Sequence, residues 1–152
     1  MSTAEIQTPQ VETALRIVDQ FWSRHLFPDE LFTSDAAFAL QGRAVDRSEL
    51  TRLTGHALAA ALPDASVRVR STLQGDDIVA VRATTTGTHA GRLFGVPATG
   101  CTVSFNCVGW FAFGGDRVCR LDIHWNSFAP VRPLWEAYDR LTRSADAGRA
   151  AG

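Results

Sequence analysis

The chain contains no lysine: all fifteen of its basic residues are arginine, and sixteen acidic residues leave a formal net charge of -1 over 152 residues. With no basic surplus there is no stripe for a phosphate backbone, so nucleic acid is not an expected partner. The arginine skew reads as the signature of a G+C-rich bacterial genome. Cysteine is scarce: Cys101, Cys107 and Cys119 form no CxxC pair and leave an odd count, which argues against a disulfide framework. Cys107 and Cys119 stand among apolar neighbours and are expected to be buried free thiols. No apolar run approaches the roughly 20 residues that span a bilayer. The first residues also lack the basic and apolar segments of a secretion leader, so a cytoplasmic protein with no membrane partner is expected. The four histidines, His25, His56, His89 and His124, are scattered without HxH or HxxxH spacing, and metal is not expected. A GxGxxG turn after a strand, a P-loop and a GxSxG elbow are all missing, so the expected chemistry needs no cofactor.

What is present is enough for one domain with a real core: the chain is 45% apolar. Residues 1–10 and 144–152 are polar and read as disordered tails around a single domain over 11–143. Val11, Ala14, Leu15, Val18, Phe21, Trp22 and His25 recur at helical spacing and predict an amphipathic helix ending near Pro28. Thr33–Gln41 suits a turn and a short strand. A second helix follows Asp46 or Ser48 as cap, turns Leu50, Leu53, Ala57, Leu58 and Leu62 inward, and stops at Pro63. The period then becomes alternating. Val67–Leu73, Ile78–His89, Thr102–Phe113 and Val118–Phe128 read as strands joined by Gly- and Asp-rich turns. A short helix, "RPLWEAYDRL", closes the domain. Helices followed by a long meander predict an α+β fold, a curved antiparallel sheet packed against N-terminal helices.

Two stretches carry the functional reading. The connection "GTHAGRLFGVPATG" (Gly87–Gly100) spends glycines and Pro97 on a wide, bent hairpin. His89 within it either lines a cavity mouth or holds the hairpin by local hydrogen bonds. The strand "RLDIHWN" (Arg120–Asn126) alternates Leu121, Ile123 and Trp125 against Arg120, Asp122, His124 and Asn126. The polar side either meets water while the apolar side meets the helices, or lines a pocket between sheet and helices. In the second orientation His124 is the one strand residue that donates and accepts protons near neutral pH, and Asp122 is placed to bias it. Arg82 could anchor a carboxylate or enol, or pair with an acid such as Asp122. Trp22, Phe21, Phe38, Leu53 and Trp110 are candidate pocket walls.

The segment "TGTHAGRLFGVPATG", a strand, "FAFGGDRV" and the polar strand together resemble the SnoaL-like polyketide cyclase and ester cyclase group of the nuclear transport factor 2-like superfamily. The likeness extends over Val11–Leu141 and is motif-specific over Val79–Asn126. It implies a cone-shaped fold, a small-molecule substrate, a homodimer and acid-base chemistry on a polyketide-like intermediate. The group's strand-end acid falls here on Asn126, which can orient a carbonyl or hydroxyl but moves no proton at neutral pH. The expected function is therefore a cofactor-independent cyclase or isomerase. Its expected catalytic residues are His124, Asp122 and Asn126, with substrate contacts from Arg82, His89, Trp22, Phe38 and Trp110. A non-catalytic binding or assembly module and an epoxide-opening hydrolase based on Asp122 are the alternatives.

Overall fold

A computed structural model describes residues 7–150. Helix α1 (Pro9–Ile17) begins where Thr8 Oγ1 accepts the Val11 N–H at 3.1 Å, with Pro9 supplying a first-turn φ that needs no donor. Its buried stripe, Val11, Ala14 and Ile17, runs on into a π-helical turn (Val18–Ser23) that buries Val18, Phe21 and Trp22. The helix therefore ends at Ser23, short of Pro28, and the chain reverses through His25 at φ +57°. The second helix is built likewise: α2 (Arg47–Leu50), a π turn (Thr51–His56) and α3 (Ala57–Ala61). Asp46 is its cap, accepting the Glu49 N–H at 2.7 Å.

The sheet has six strands in the order β2-β1-β6-β5-β4-β3. They are β1 (Phe32–Leu40), β2 (Arg43–Val45), β3 (Ser66–Gln74), β4 (Ile78–Thr88), β5 (Thr102–Gly114) and β6 (Arg117–Trp125). The last four match the alternating segments of the sequence. The short β2 was not expected, and neither was the parallel pairing of β1 with β6; the other pairs are antiparallel. Register shifts in the β1–β6, β3–β4 and β5–β6 ladders bend the sheet around the helices. The shift in the last pair lets both Val118 and Leu121 turn inward, each fully buried.

Alternation along β4 and β5 sends Val79, Val81, Ala83 and Thr85, and Val103, Phe105, Cys107, Phe111 and Phe113, to the helix-covered side. These residues form a main core with α1 and its π turn, and a smaller one with Leu62, Leu93, Val96 and Leu134. Helix α4 (Phe128–Ala150) is far longer than the expected closing helix and continues through Ser144–Ala150, where a tail is expected. The segment has no apolar stripe to announce a helix, but its alanines and arginine favour helical backbone once a preceding turn exists. Of the expected N-terminal tail, residues 1–6 lie outside the described residues, and Pro9 and Gln10 already belong to α1.

Candidate functional site

A cavity of about 260 Å³ opens between the helices and the sheet. Both π turns supply its walls, Trp22 from the first and Leu53 and Thr54 from the second, where the wider winding displaces side chains from an α-helical stripe. Ala57 and Leu58 continue the helical side; Thr85, Phe105, Cys107, Ile123 and Trp125 form the sheet side. Trp22 reaches the sheet because Gly109 lies beneath it: a Cβ there would stand 3.1 Å from Trp22 Cη2 and 2.7 Å from Phe111 Cε2.

The β4–β5 connection closes one end of the cavity with Arg92, Leu93 and Phe94. Its tip is a two-residue turn: Leu93 and Val96 exchange backbone hydrogen bonds of 3.0 and 2.9 Å around Phe94 (φ +50°) and Gly95 (φ +80°). Two successive positive φ values suit the right-handed twist of a tight hairpin. A phenylalanine in that conformation is strained, and here its ring packs edge-on against Phe105 at 5.3 Å. The base of the connection is docked on α3, where Ala90 and Gly91 both donate to the Ala61 carbonyl. Gly91 is obligatory, since a Cβ would stand 2.6 Å from the Ala60 carbonyl oxygen. At the preceding strand end, Asp64 accepts from both the Thr88 N–H and hydroxyl at 2.7 Å, which holds its carboxyl below the usual carboxylate range.

His89 is fully buried inside this connection. Its Nε2 faces the Val96 carbonyl at 3.2 Å and its Nδ1 the Thr99 hydroxyl at 2.9 Å. A carbonyl only accepts, so in the neutral ring Nε2 donates and Nδ1 accepts from Thr99. Of the two roles open to His89, the structure places it in the local hydrogen-bonding one; it does not line the cavity.

The family model for SnoaL-like polyketide cyclases matches residues 12–133. The chain belongs to that family. Solved structures share the SnoaL-like fold, nuclear transport factor 2-like, at 24% identity. AclR of Streptomyces galilaeus, a candidate hydroxylase, aligns with a TM-score of 0.74, covering 84% of this chain and 96% of its own. A candidate SnoaL-like polyketide cyclase of Jannaschia sp. CCS1 gives 0.71, with coverages of 88% and 96%. IdmH of Streptomyces antibioticus, a candidate polyketide cyclase, gives 0.70, with 84% and 99%. No curated protein matches the chain in sequence.

Within this SnoaL-like frame the orientation of β6 is a correction to one of the two sequence readings. Ile123 and Trp125 face the cavity, while Asp122, His124 and Asn126 lie on the opposite, open face, with His124 and Asn126 exposed. Lateral pairing carries the row onward: His124 sits opposite Val108, and Val108 opposite Arg82. Arg82 and Trp110 therefore belong to the open face too, around a shallow groove with Ser71, Leu73 and Ala80. The physical reason is desolvation. Turning an aspartate, an imidazole and a guanidinium into an apolar cavity costs several kcal/mol per unpaired charge, whereas burying Leu121, Ile123 and Trp125 is favourable. Asp122 is engaged by Arg120 at 3.1 Å. The position of the group's acid has a structural occupation: Asn126 Oδ1 accepts from the Phe128 and Ala129 N–H groups at 3.1 and 3.4 Å, capping α4.

Of the expected wall residues, Trp22 and Leu53 line the cavity; Phe38 does not. It packs instead with Phe27 and Phe32, centroids 5.9 and 5.6 Å away. Sequence reasoning missed Thr54, Thr85, Arg92, Leu93, Phe94, Phe105 and Cys107. The signal for the sheet residues was present, since the odd-numbered side of β5 and β6 is the apolar one. Burial pushes the Cys107 thiol from 9.0 up to about 12, so near neutral pH it is a protonated wall atom and no nucleophile. Among the described residues no three His, Cys, Asp or Glu side chains gather as a metal site, and no helix is long and apolar enough to cross a membrane.

Proposed function

We propose that the chain binds a small, largely apolar, polyketide-like intermediate in this cavity and promotes its ring closure or isomerisation. The observation that carries the reading is an apolar cavity of about 260 Å³, walled by Trp22, Leu53, Leu58, Phe105, Ile123 and Trp125, in a member of a polyketide cyclase family. The described lining residues include no carboxylate or imidazole. The rate gain is therefore assigned to folding and desolvating a flexible substrate, with Thr85, Thr54 and Arg92 as orienting groups. Holding reacting atoms in a near-attack geometry is worth up to about 7 kcal/mol or more without any proton transfer by the protein.

The test is ring closure of a linear poly-β-ketone ester, followed by chromatography and mass spectrometry with wild type and with Leu58→Trp, which fills the cavity. Acceleration by the wild type that Leu58→Trp abolishes, with a rate nearly flat from pH 6 to 8, supports the reading. Equal rates with and without protein overturn it. The same lining favours one second reading, a non-catalytic binding module, which predicts saturable binding and no acceleration. The epoxide-opening alternative loses its base, because Asp122 lies outside the cavity. A homodimer belongs to the proposal as well. It is supported by Leu73, Ile78 and Trp110, which stand 73%, 43% and 48% exposed on the sheet, and is checked by the solution mass of wild type against Trp110→Asp.

A further inference from the structure

Arg92 is, among the described residues, the one charged residue lining the cavity. Among the described residues no carboxylate lies within ion-pair distance of it; the five ion pairs of the fold all lie elsewhere. The side chain is not loose, because its guanidinium donates to the Gly95 carbonyl at 2.8 Å, across the tight turn that closes the cavity. That turn is itself fixed by the Leu93–Val96 pair, by the buried His89 and by the docking of Ala90 and Gly91 on Ala61. One donor is thereby used to hold the group, and a guanidinium has five.

A second polar point lies on the sheet wall. Thr85 is 3% exposed and lines the cavity, and among the described residues its hydroxyl has no hydrogen-bond partner. Arg92 is itself exposed, so its guanidinium stands at the open rim of the cavity. Held in place and paired with no carboxylate among the described residues, its planar fork suits a delocalised oxyanion on a ligand seated against the apolar walls.

We infer that Arg92 makes the cavity selective for apolar ligands ending in a delocalised oxyanion, a carboxylate or an enolate. Thr85 supplies the polar contact farther along the sheet wall. The inference rests on the reading that the cavity is the ligand site, and the experiment separates the two. Two dyes sharing one aromatic skeleton serve as probes: 1-anilinonaphthalene-8-sulfonate, which is anionic, and N-phenyl-1-naphthylamine, which is neutral. Both are titrated by fluorescence into wild type, Arg92→Gln and, as an open-face control, Arg82→Gln, with circular dichroism confirming that each is folded. Arg92→Gln is expected to weaken the anionic dye about threefold to fivefold and to leave the neutral dye within twofold. Arg82→Gln is expected to change neither. Added salt should weaken the anionic dye on wild type and have little effect on Arg92→Gln. If the neutral dye binds while Arg92→Gln leaves the anionic dye unchanged, or weakens both dyes alike, the selectivity is overturned and the cavity reading stands. If neither dye binds the folded wild type, the cavity reading fails and the inference with it.

Discussion

The two faces of the same sheet are made from alternate residues of the same strands, and they differ in almost everything else. Under the helices lie Val79, Val81, Phe105, Cys107, Phe111, Leu121 and Ile123, all buried. On the open face lie Arg82, Thr84, Asn106, Arg120, Asp122 and His124, with Arg70 Nε donating to Thr84 and Thr84 to Asn106 at 3.0 and 2.8 Å. The open face has the richer inventory of titratable groups and invites a catalytic reading; the covered face has the cavity. Chemistry-bearing side chains on a strand mark a site only when the fold encloses them. In a half-buried antiparallel sheet, the polar stripe is the one that the fold leaves to solvent.

Substitutions on the two faces should separate them sharply. The largest effect is expected from Phe111→Ala on the covered face, which leaves a cavity beneath Trp22 and should cost about 3–5 kcal/mol in urea unfolding. A value under 1 kcal/mol would mean that this face is less tightly packed than its full burial implies. Next, His89→Ala removes both ring contacts, leaving the Val96 carbonyl with the Leu93 N–H alone and the Thr99 hydroxyl without its ring acceptor. It should cost about 2–3 kcal/mol and weaken binding of the neutral dye by loosening Leu93 and Phe94. Stability loss with unchanged dye binding would show that the connection does not shape the cavity.

Cys107 sharpens the comparison through pH. Its thiol stays protonated in the fold up to about pH 12 but ionises near 9.0 once unfolded. The unfolded chain then binds fewer protons, so the contribution is whole below pH 9 and is lost as pH rises from 9 to 12. The slope is at most about 1.4 kcal/mol per pH unit. Comparing wild type with Cys107→Ala at pH 8 and 10 isolates it, because the other groups titrate in both. In the same experiment at pH 8, the exposed Cys101 should react with a disulfide reagent long before Cys107.

The smallest effects belong to the open face. Asn126→Ala should cost about 1 kcal/mol through the lost cap of α4, while Asn126→Asp keeps the cap and should be neutral or slightly stabilising. His124→Ala should stay within about 0.5 kcal/mol and leave dye binding unaltered. A large loss of binding or ring closure in His124→Ala would break the comparison and return chemistry to the open face.

Much of this molecule is legible in its residues. Period-two alternation locates β3 to β6 to within a few residues, and helical spacing with Asp46 as cap locates the second helix. The spelling of Gly87–Gly100 marks a bent connection; its glycines at 91 and 95 meet, respectively, a close approach to Ala60 and a positive φ. The short β2 escaped because three residues carry no period. The π turns escaped because their residues fit an α-helical stripe nearly as well, and Arg92 and Phe94 escaped because a loop has no repeating face to project from.

Local pattern thus determined β3 to β6, the placement of the two N-terminal helices and the division of β6 into a polar and an apolar side. Alternation is symmetric, however, and does not say which side faces in. That was decided by where the helices pack: the free energy of burying Leu121, Ile123 and Trp125 is gained only if they turn toward α1 and α2. The same choice leaves His124 and Asn126 their water and Asp122 its Arg120 partner, and among the described residues the cavity's one charged group comes from a loop.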